Sequence, residues 1–149
     1  MIRELTKEDL NDTFFELYYE GFLYHYNHRK DLFKKKSIEE LKEYVFEQFE
    51  NGLKILGYYN NEELVGYIEY EIKEKATKFI WIDELIITEK ERGKGYGTLL
   101  LNEIKRIQDE ENIPRIELNV FSFNENAIKL YKKLGYEEQR YIFELKKGE

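Results

Sequence analysis

The apolar positions change period several times along the chain, and each period predicts an element. Residues 2–5 read as a short strand. Thr6 with Asp9 three residues on reads as a helix start, and Leu10, Phe14, Leu17 and Tyr18 share one face of a helix expected to fade near Gly21. Residues 22–36 lose the period and form an irregular, aromatic and basic segment. Ser37 and Glu40 then make a capping box ahead of Ile38, Leu41, Val45 and Phe49 at helical spacing. Asn51-Gly52 stops that helix, and residues 54–59 and 64–73 read as a hairpin about Asn60-Asn61. Over 78–88 the density of β-branched and aromatic residues predicts a central strand buried on both faces. Leu99, Leu100, Ile104 and Ile107 mark an amphipathic helix that runs towards Asn112 and ends before Pro114. A strand over 116–121, a helix over 124–134 closed by Gly135, and a last strand over 141–145 complete the series.

The order β-α-α-β-β-β-α-β-α-β specifies an α/β (α+β) domain with helices covering a twisted sheet. With 149 residues and no internal repeat or Pro/Ser-rich linker, residues 1–149 are expected to form one domain. Hydrophobic residues at 42% and charged residues at 37% fit a soluble globular chain and exclude a disordered one. The net charge of -7 disfavours nucleic-acid partners. Apolar runs such as Leu85-Ile86-Ile87 are too short for a bilayer, and the charged start after Met1 is unlike a targeting segment, so a cytoplasmic location without a membrane partner is expected. The absence of cysteine removes disulfides, thiolate metal sites and cysteine nucleophiles, and the two histidines, His25 and His28, lack a further ligand set, so no metal is expected.

The chemistry concentrates in Arg92-Gly93-Lys94-Gly95-Tyr96-Gly97-Thr98, between a buried strand and an amphipathic helix. The first N–H groups of a helix lack internal partners and carry the positive end of its dipole, which suits an anion. Glycines let the backbone approach phosphate oxygens closely, and Arg92 and Lys94 add charge. A Walker A loop and a dinucleotide fingerprint both fail on spacing or on Thr98, which argues against a plain nucleotide-binding domain.

This segment resembles the Arg/Gln-x-x-Gly-x-Gly/Ala signature of the GNAT superfamily of acetyl-CoA-dependent N-acetyltransferases. Asn124, Ala127, Tyr131, Gly135 and Tyr136 match a second segment typical of that family. The resemblance implies a mixed, mostly antiparallel sheet of about six or seven strands with about four helices. It implies acetyl-CoA as co-substrate, its pyrophosphate held by amides of Gly93, Lys94, Gly95, Tyr96, Gly97 and Thr98 with help from Arg92. Pantetheine would pair with the strand backbone along Leu85, Ile86 and Ile87, and an N–H near Leu85 would face the thioester oxygen. Tyr131 matches the tyrosine that serves the departing thiolate, and Asn124 either contacts the cofactor or only caps its helix.

Tyrosine at pKa about 10 is a weaker acid than a thiol at about 8.5, so full proton transfer from Tyr131 is uphill by roughly 2 kcal/mol and a hydrogen bond is the safer role. Glu84 and Asp83 are candidates for the base, and simple strand alternation would send them to opposite faces, with Glu84 favoured. The resemblance implies that residues 18–33 correspond to the loop that shapes the acceptor pocket in the family; the segment is long for a connection, and much of the aromatic excess of 16% lies between Phe14 and Phe33. Tyr24 and His25, with acidic Glu20 and Glu71, are expected to receive a cationic small-molecule or peptide amine. A catalytically silent acyl-CoA-binding module on the same scaffold is the alternative. Dimers are common among similar proteins, so a homodimer is compatible with the resemblance.

Overall fold

The computed structural model describes residues 1–148. Strand β1 (Ile2–Glu4) leads to helices α1 (Asp12–His28) and α2 (Ile38–Glu50), then to strands β2 (Lys54–Asn60), β3 (Glu63–Glu74) and β4 (Lys78–Ile87). Helix α3 (Tyr96–Glu111), strand β5 (Arg115–Leu118) and helix α4 (Glu125–Lys133) follow. The element order therefore matches the sequence reading up to α4. The strand expected over 141–145 does not form: its side chains are exposed, from 69% at Tyr141 to 99% at Leu145, and no neighbouring strand meets its N–H and C=O groups. A tendency towards extended backbone becomes a strand only when a ladder partner is present. Among the described residues the sheet accordingly has five strands rather than six or seven.

Two helix boundaries also differ. The Thr6–Asp9 capping box starts only a 3-10 turn, and α1 begins later, where the Asn11 side chain accepts from the Phe14 N–H at 3.2 Å. At its other end α1 passes straight through Gly21 to His28, so most of the expected loop over 18–33 is helix. One helical glycine costs only about 1 kcal/mol, and tertiary contact outweighs it. Aromatic stacking along one face helps: Tyr19, Phe22 and Tyr26 follow one another with centroids 6.0 Å apart. His25 and His28 bond through Nδ1 to the carbonyls of Gly21 and Tyr24, four residues back. The Ser37/Glu40 capping box starts α2 as expected. Gly135, at φ +95°, closes α4 with Tyr136 N–H donating to Tyr131 C=O and Gly135 N–H to Lys132 C=O, a Schellman arrangement.

The sheet runs β1-β2-β3-β4-β5, antiparallel except for the β4/β5 pair. Its first face carries Ile55, Tyr67 and Ile86 under Phe14, Phe15 and Leu17 of α1 and Val45 of α2. Helix α3 packs against the other side through Leu100, Leu101 and Ile104, all buried. On that side lie Ile68 and Tyr70, the latter within electrostatic reach of Glu103 and Arg106 of α3.

The register of β3 with β4 holds the decisive irregularity. Glu69 lies opposite Glu84 and Tyr70 opposite Ile82, so Asp83 is an extra residue in β4. Strict alternation would put Ile80, Ile82, Glu84 and Ile86 on one face. The bulge splits them, leaving Ile80 and Ile82 towards α3 and turning Glu84 and Ile86 towards α1.

The chain divides into two compact units, one from Met1 to Asn119 holding the sheet and α1 to α3, the other from Val120 onward holding α4. Within the second, α4 presents no fully buried residue. Among the described residues no helix is long and apolar enough to cross a membrane.

Close strand contact makes one glycine intolerant of change. A Cβ on Gly66 would stand 2.4 Å from Ile87 Cδ1 and 2.9 Å from the Ile86 carbonyl oxygen, and backbone cannot give way as a side-chain tip can. Gly66→Ala is expected to destabilise the fold by about 1–3 kcal/mol, read as a lowered Tm in a thermal melt.

Candidate active site

The outer half of β4 has an open edge. Pairing with β5 runs only from Phe79↔Arg115 to Ile82↔Leu118, whereas β4 continues to Ile87. Thr88 N–H donates to Val65 C=O on the β3 side, and main-chain direction alternates along a strand. Ile86 therefore faces β3, and the N–H and C=O groups of Leu85 and Ile87 face the open edge. Of these, Ile87 C=O is taken by Arg92 Nε at 3.0 Å.

The glycine turn begins where this edge ends. Gly93 and Gly95 have φ of +80° and +86°, a left-handed conformation that disfavours side chains, and a Cβ at either would meet nothing within 4 Å. The turn is thus dictated by backbone conformation rather than by close packing. Gly95 caps α3, whose first-turn N–H groups, from Tyr96, Gly97 and Thr98, have no acceptor within the helix. Lys94 turns its ammonium to Glu91 Oε2 at 2.7 Å. Glu20 of α1 reaches the same region: its carboxylate accepts from Glu89 N–H at 3.1 Å and from Arg92 Nη2 at 3.5 Å, so Glu20 fastens α1 to the turn.

The other side of β4 carries an acidic row. Tyr67, Glu69 and Glu71 of β3 stand on the α1 face opposite Ile86, Glu84 and Trp81 of β4, with Asp83 at the bulge. Gly21 makes room for it: a Cβ there would lie 2.5 Å from Glu84 Oε1 and 2.8 Å from Ile86 Cδ1, so the α1 backbone rests against the Glu84 carboxyl. Glu69 is 5% exposed, Glu84 and Glu71 are half-buried, and Asp83 is the most accessible. Burial, reinforced by Glu84 and Asp83, holds the Glu69 carboxyl well above the usual carboxylate range. Burial pushes Glu84 up to about 7 against the opposing effect of the Glu69 carboxyl and the Tyr67 hydroxyl beside it. Asp83 is likewise raised to about 7 by partial burial and by Glu71 beside it. Tyr18 of α1 is raised by burial and then by Glu84 and Glu69, which places its ring at the row.

The bulge thus brings Asp83 and Glu84 into one electrostatic cluster, where simple alternation had separated them. Glu71 joins that cluster and Glu20 does not, being spent on the turn. Tyr24 and His25 sit on the last turns of α1, their rings edge-to-face at 5.4 Å. In the second unit, Tyr131 lies 5.6 Å from Tyr136 ring to ring, and burial with that neighbour raises its hydroxyl to about 12. Asn124 precedes α4 without a side-chain capping bond. Glu69 and Tyr67 are absent from the sequence reading. The signal that selected Glu84, an acid inside an apolar strand, applies equally to Glu69 in Val65-Gly66-Tyr67-Ile68-Glu69. Among the described residues no three His, Cys, Asp or Glu side chains are arranged to hold a metal ion.

The model of the Acetyltransferase (GNAT) family matches residues 8–136. The chain is 31% identical over 153 residues to an uncharacterized N-acetyltransferase of Methanocaldococcus jannaschii, covering 95% of this chain and 62% of that protein. It is 30% identical over 90 residues to a spermine/spermidine N(1)-acetyltransferase of Bacillus subtilis, covering 56% of this chain and 59% of that protein. Neither relative is matched over two thirds of its own length. Among solved structures, a variant of a Bacillus halodurans protein superposes with a TM-score of 0.85 at 23% identity over 98% of each chain, a likeness of fold alone. A possible acetyltransferase of Clostridium difficile superposes with a TM-score of 0.75 at 28% identity, covering 99% of this chain and 97% of that one.

The raised carboxyls have a consequence for stability. A group whose folded pKa lies above its unfolded value near 4.5 keeps its proton in the folded state after the unfolded chain has released it. Stability is then full below pH about 4.5 and falls as pH rises through 7 and beyond. Glu69→Gln removes one such group, so it is expected to make this fall shallower and to raise Tm at pH 8 by about 2–6 °C, measured by calorimetry across pH 5–8.

Proposed function

The chain belongs to the GNAT family of acetyltransferases, and on that footing we propose that it moves an acetyl group from acetyl-CoA to a primary amine by direct attack of the amine nitrogen. The observation that carries this reading is the open β4 edge ending at a glycine turn that caps α3. An extended amide-bearing chain can lie along Leu85, Ile86 and Ile87, with its pyrophosphate on the amides from Gly93 to Thr98. The likeness to a spermine/spermidine acetyltransferase supports an amine as acceptor.

Each role follows from chemistry available in this chain. Leu85 N–H, directed to the open edge, stabilises the charge that grows on the thioester oxygen as nitrogen bonds to the carbonyl carbon. Glu84 accepts the proton that the acceptor ammonium must lose. An amine near pKa 10 is uphill of an ordinary carboxylate by about 8 kcal/mol, whereas a carboxylate at about 7 brings that cost to about 4 kcal/mol. By its match to the family's second segment, Tyr131 is assigned as the hydrogen-bond donor to the sulfur as the C–S bond breaks and CoA leaves as the thiolate. A phenol raised to about 12 keeps its proton in the ground state and serves as a donor rather than as a full acid. Arg92 holds the end of the β4 edge through Ile87 C=O, and Asn124 supports the cofactor from the start of α4. The acceptor lies against the acidic row between β3, β4 and α1, where Glu71 attracts a cation and Tyr24 and His25 flank the approach.

The direct test is release of free CoA thiol from acetyl-CoA across a panel of amines; turnover with at least one amine is expected, and binding of acetyl-CoA without turnover for any would instead mark a silent binding module. Glu84→Gln is expected to lower kcat about 100-fold and to abolish the rise of kcat/KM with pH through about 7, the direction required of a group that must be deprotonated to act. Tyr131→Phe is expected to lower kcat about tenfold with the acetyl-CoA KM changed less than twofold; equal kcat in the two proteins would remove Tyr131 from the mechanism.

A further inference from the structure

The acidic row is costly as it stands. Glu69 and Glu84 face each other across adjacent strands, a placement in which like charges repel. Glu69 Oε1 and the Tyr67 hydroxyl are both buried without a hydrogen-bond partner, in residues that are 5% and 0% exposed. Leaving such atoms unsatisfied costs about 1–3 kcal/mol each, and a valine or threonine would suit the strand better at position 69. Among the described residues no cation acts on Glu69 or Glu84. The cation recorded at the row is at its outer end, where Lys73 Nζ lies 3.9 Å from Glu71 and 5.7 Å from the centroid of the Trp81 ring. The four carboxyls form a graded path, from exposed Asp83 through half-buried Glu71 and Glu84 to buried Glu69. Tyr18 and Tyr44 lie within electrostatic reach of it, and aromatic rings near carboxylates favour an ammonium group.

We propose that this row is a rail for a linear diamine: the reacting nitrogen enters between Glu69 and Glu84 beside the Tyr67 hydroxyl, and the second ammonium rests at Glu71 and Asp83. The charge count favours a dication, because a single ammonium at the inner pair leaves the outer pair with Lys73 alone. The spacing agrees, since two positions along a strand are about 7 Å apart, a length spanned by roughly four methylene groups. A divalent metal is the less suitable guest, since no three of these side chains are arranged as metal ligands among the described residues. This inference rests on the acetyltransferase reading and names its acceptor class.

The test compares 1,4-diaminobutane with 1-aminobutane. In the acetyl-transfer assay, kcat/KM is expected to favour the diamine by about tenfold or more, and Glu71→Gln with Asp83→Asn to bring the ratio close to one, mainly through the diamine KM. Binding is read separately, without chemistry, from the fluorescence of Trp81, the single tryptophan, in protein saturated with CoA. A saturable change with 1,4-diaminobutane, weakened at least tenfold in the double variant, is expected, with a thermal melt establishing that the variant is folded. Should the double variant fail to fold, Glu71→Gln alone is expected to narrow the ratio and weaken the titration. Diamine binding at Trp81 without turnover of any amine would sink the acetyltransferase reading and leave the rail standing. Turnover that treats the two amines alike, or a ratio unmoved by the substitutions, would overturn the rail and leave the acetyltransferase reading standing. A titration produced by magnesium ions and not by the diamine would overturn it too.

Discussion

A single extra residue in one strand organises the candidate site of this molecule. Without the bulge at Asp83, the isoleucines that α3 needs and the glutamate that α1 meets would lie on the same face of β4. The bulge lets one strand serve two layers: it delivers Ile80 and Ile82 to one side and Glu84 and Ile86 to the other. It also falls where β4 and β5 cease to pair, so the strand changes facing and opens its edge at the same place. The proposed oxyanion donor at Leu85 and the proposed base at Glu84 are consequently neighbours in sequence that face perpendicular directions, one along the sheet and one above it.

The acidic row costs stability, and in the proposed reading that cost serves chemistry. Burial raises Glu69, Glu84 and Asp83 together, Glu84 and Asp83 raise Glu69 further and Glu71 raises Asp83, so none is an independent titrating site. A lone carboxylate at the surface would be a poor acceptor for an ammonium proton, while one displaced to near neutrality is far better matched. Gly21 belongs to the same arrangement, because any larger residue on α1 would occupy the position of the Glu84 carboxyl. The helix tolerates its glycine for the space it leaves.

The sequence made most elements legible because their signals are local: the Ser37/Glu40 box, the Asn60-Asn61 turn, the glycines at 93, 95 and 135. It failed where a tertiary contact outweighs a local preference. Gly21 read as a helix stop and is helical, since Glu84 and Ile86 pack on it. The residues over 141–145 read as a strand and form none, because pairing is decided by a neighbour rather than by propensity. The candidate base was visible as an acid in an apolar strand, but its companions were not. Glu69 becomes Glu84's partner only through the register of β3 against β4, and no spacing within one segment encodes a register between two.

The contact of Arg92 with the carbonyl of Ile87 also bears on what β4 must avoid. An exposed strand edge is a template for another chain, and long apolar edges invite aggregation. Here the bulge at Asp83 interrupts the edge on one side and the Arg92 guanidinium caps it on the other. Between them only Leu85 presents both its N–H and its C=O, with the N–H of Ile87 beyond. That stretch is too short to recruit a foreign β-strand, yet it is long enough for a slender guest with one or two amides. The same two features leave room for the extended cofactor chain of the proposed reading while shortening the edge that another strand could use.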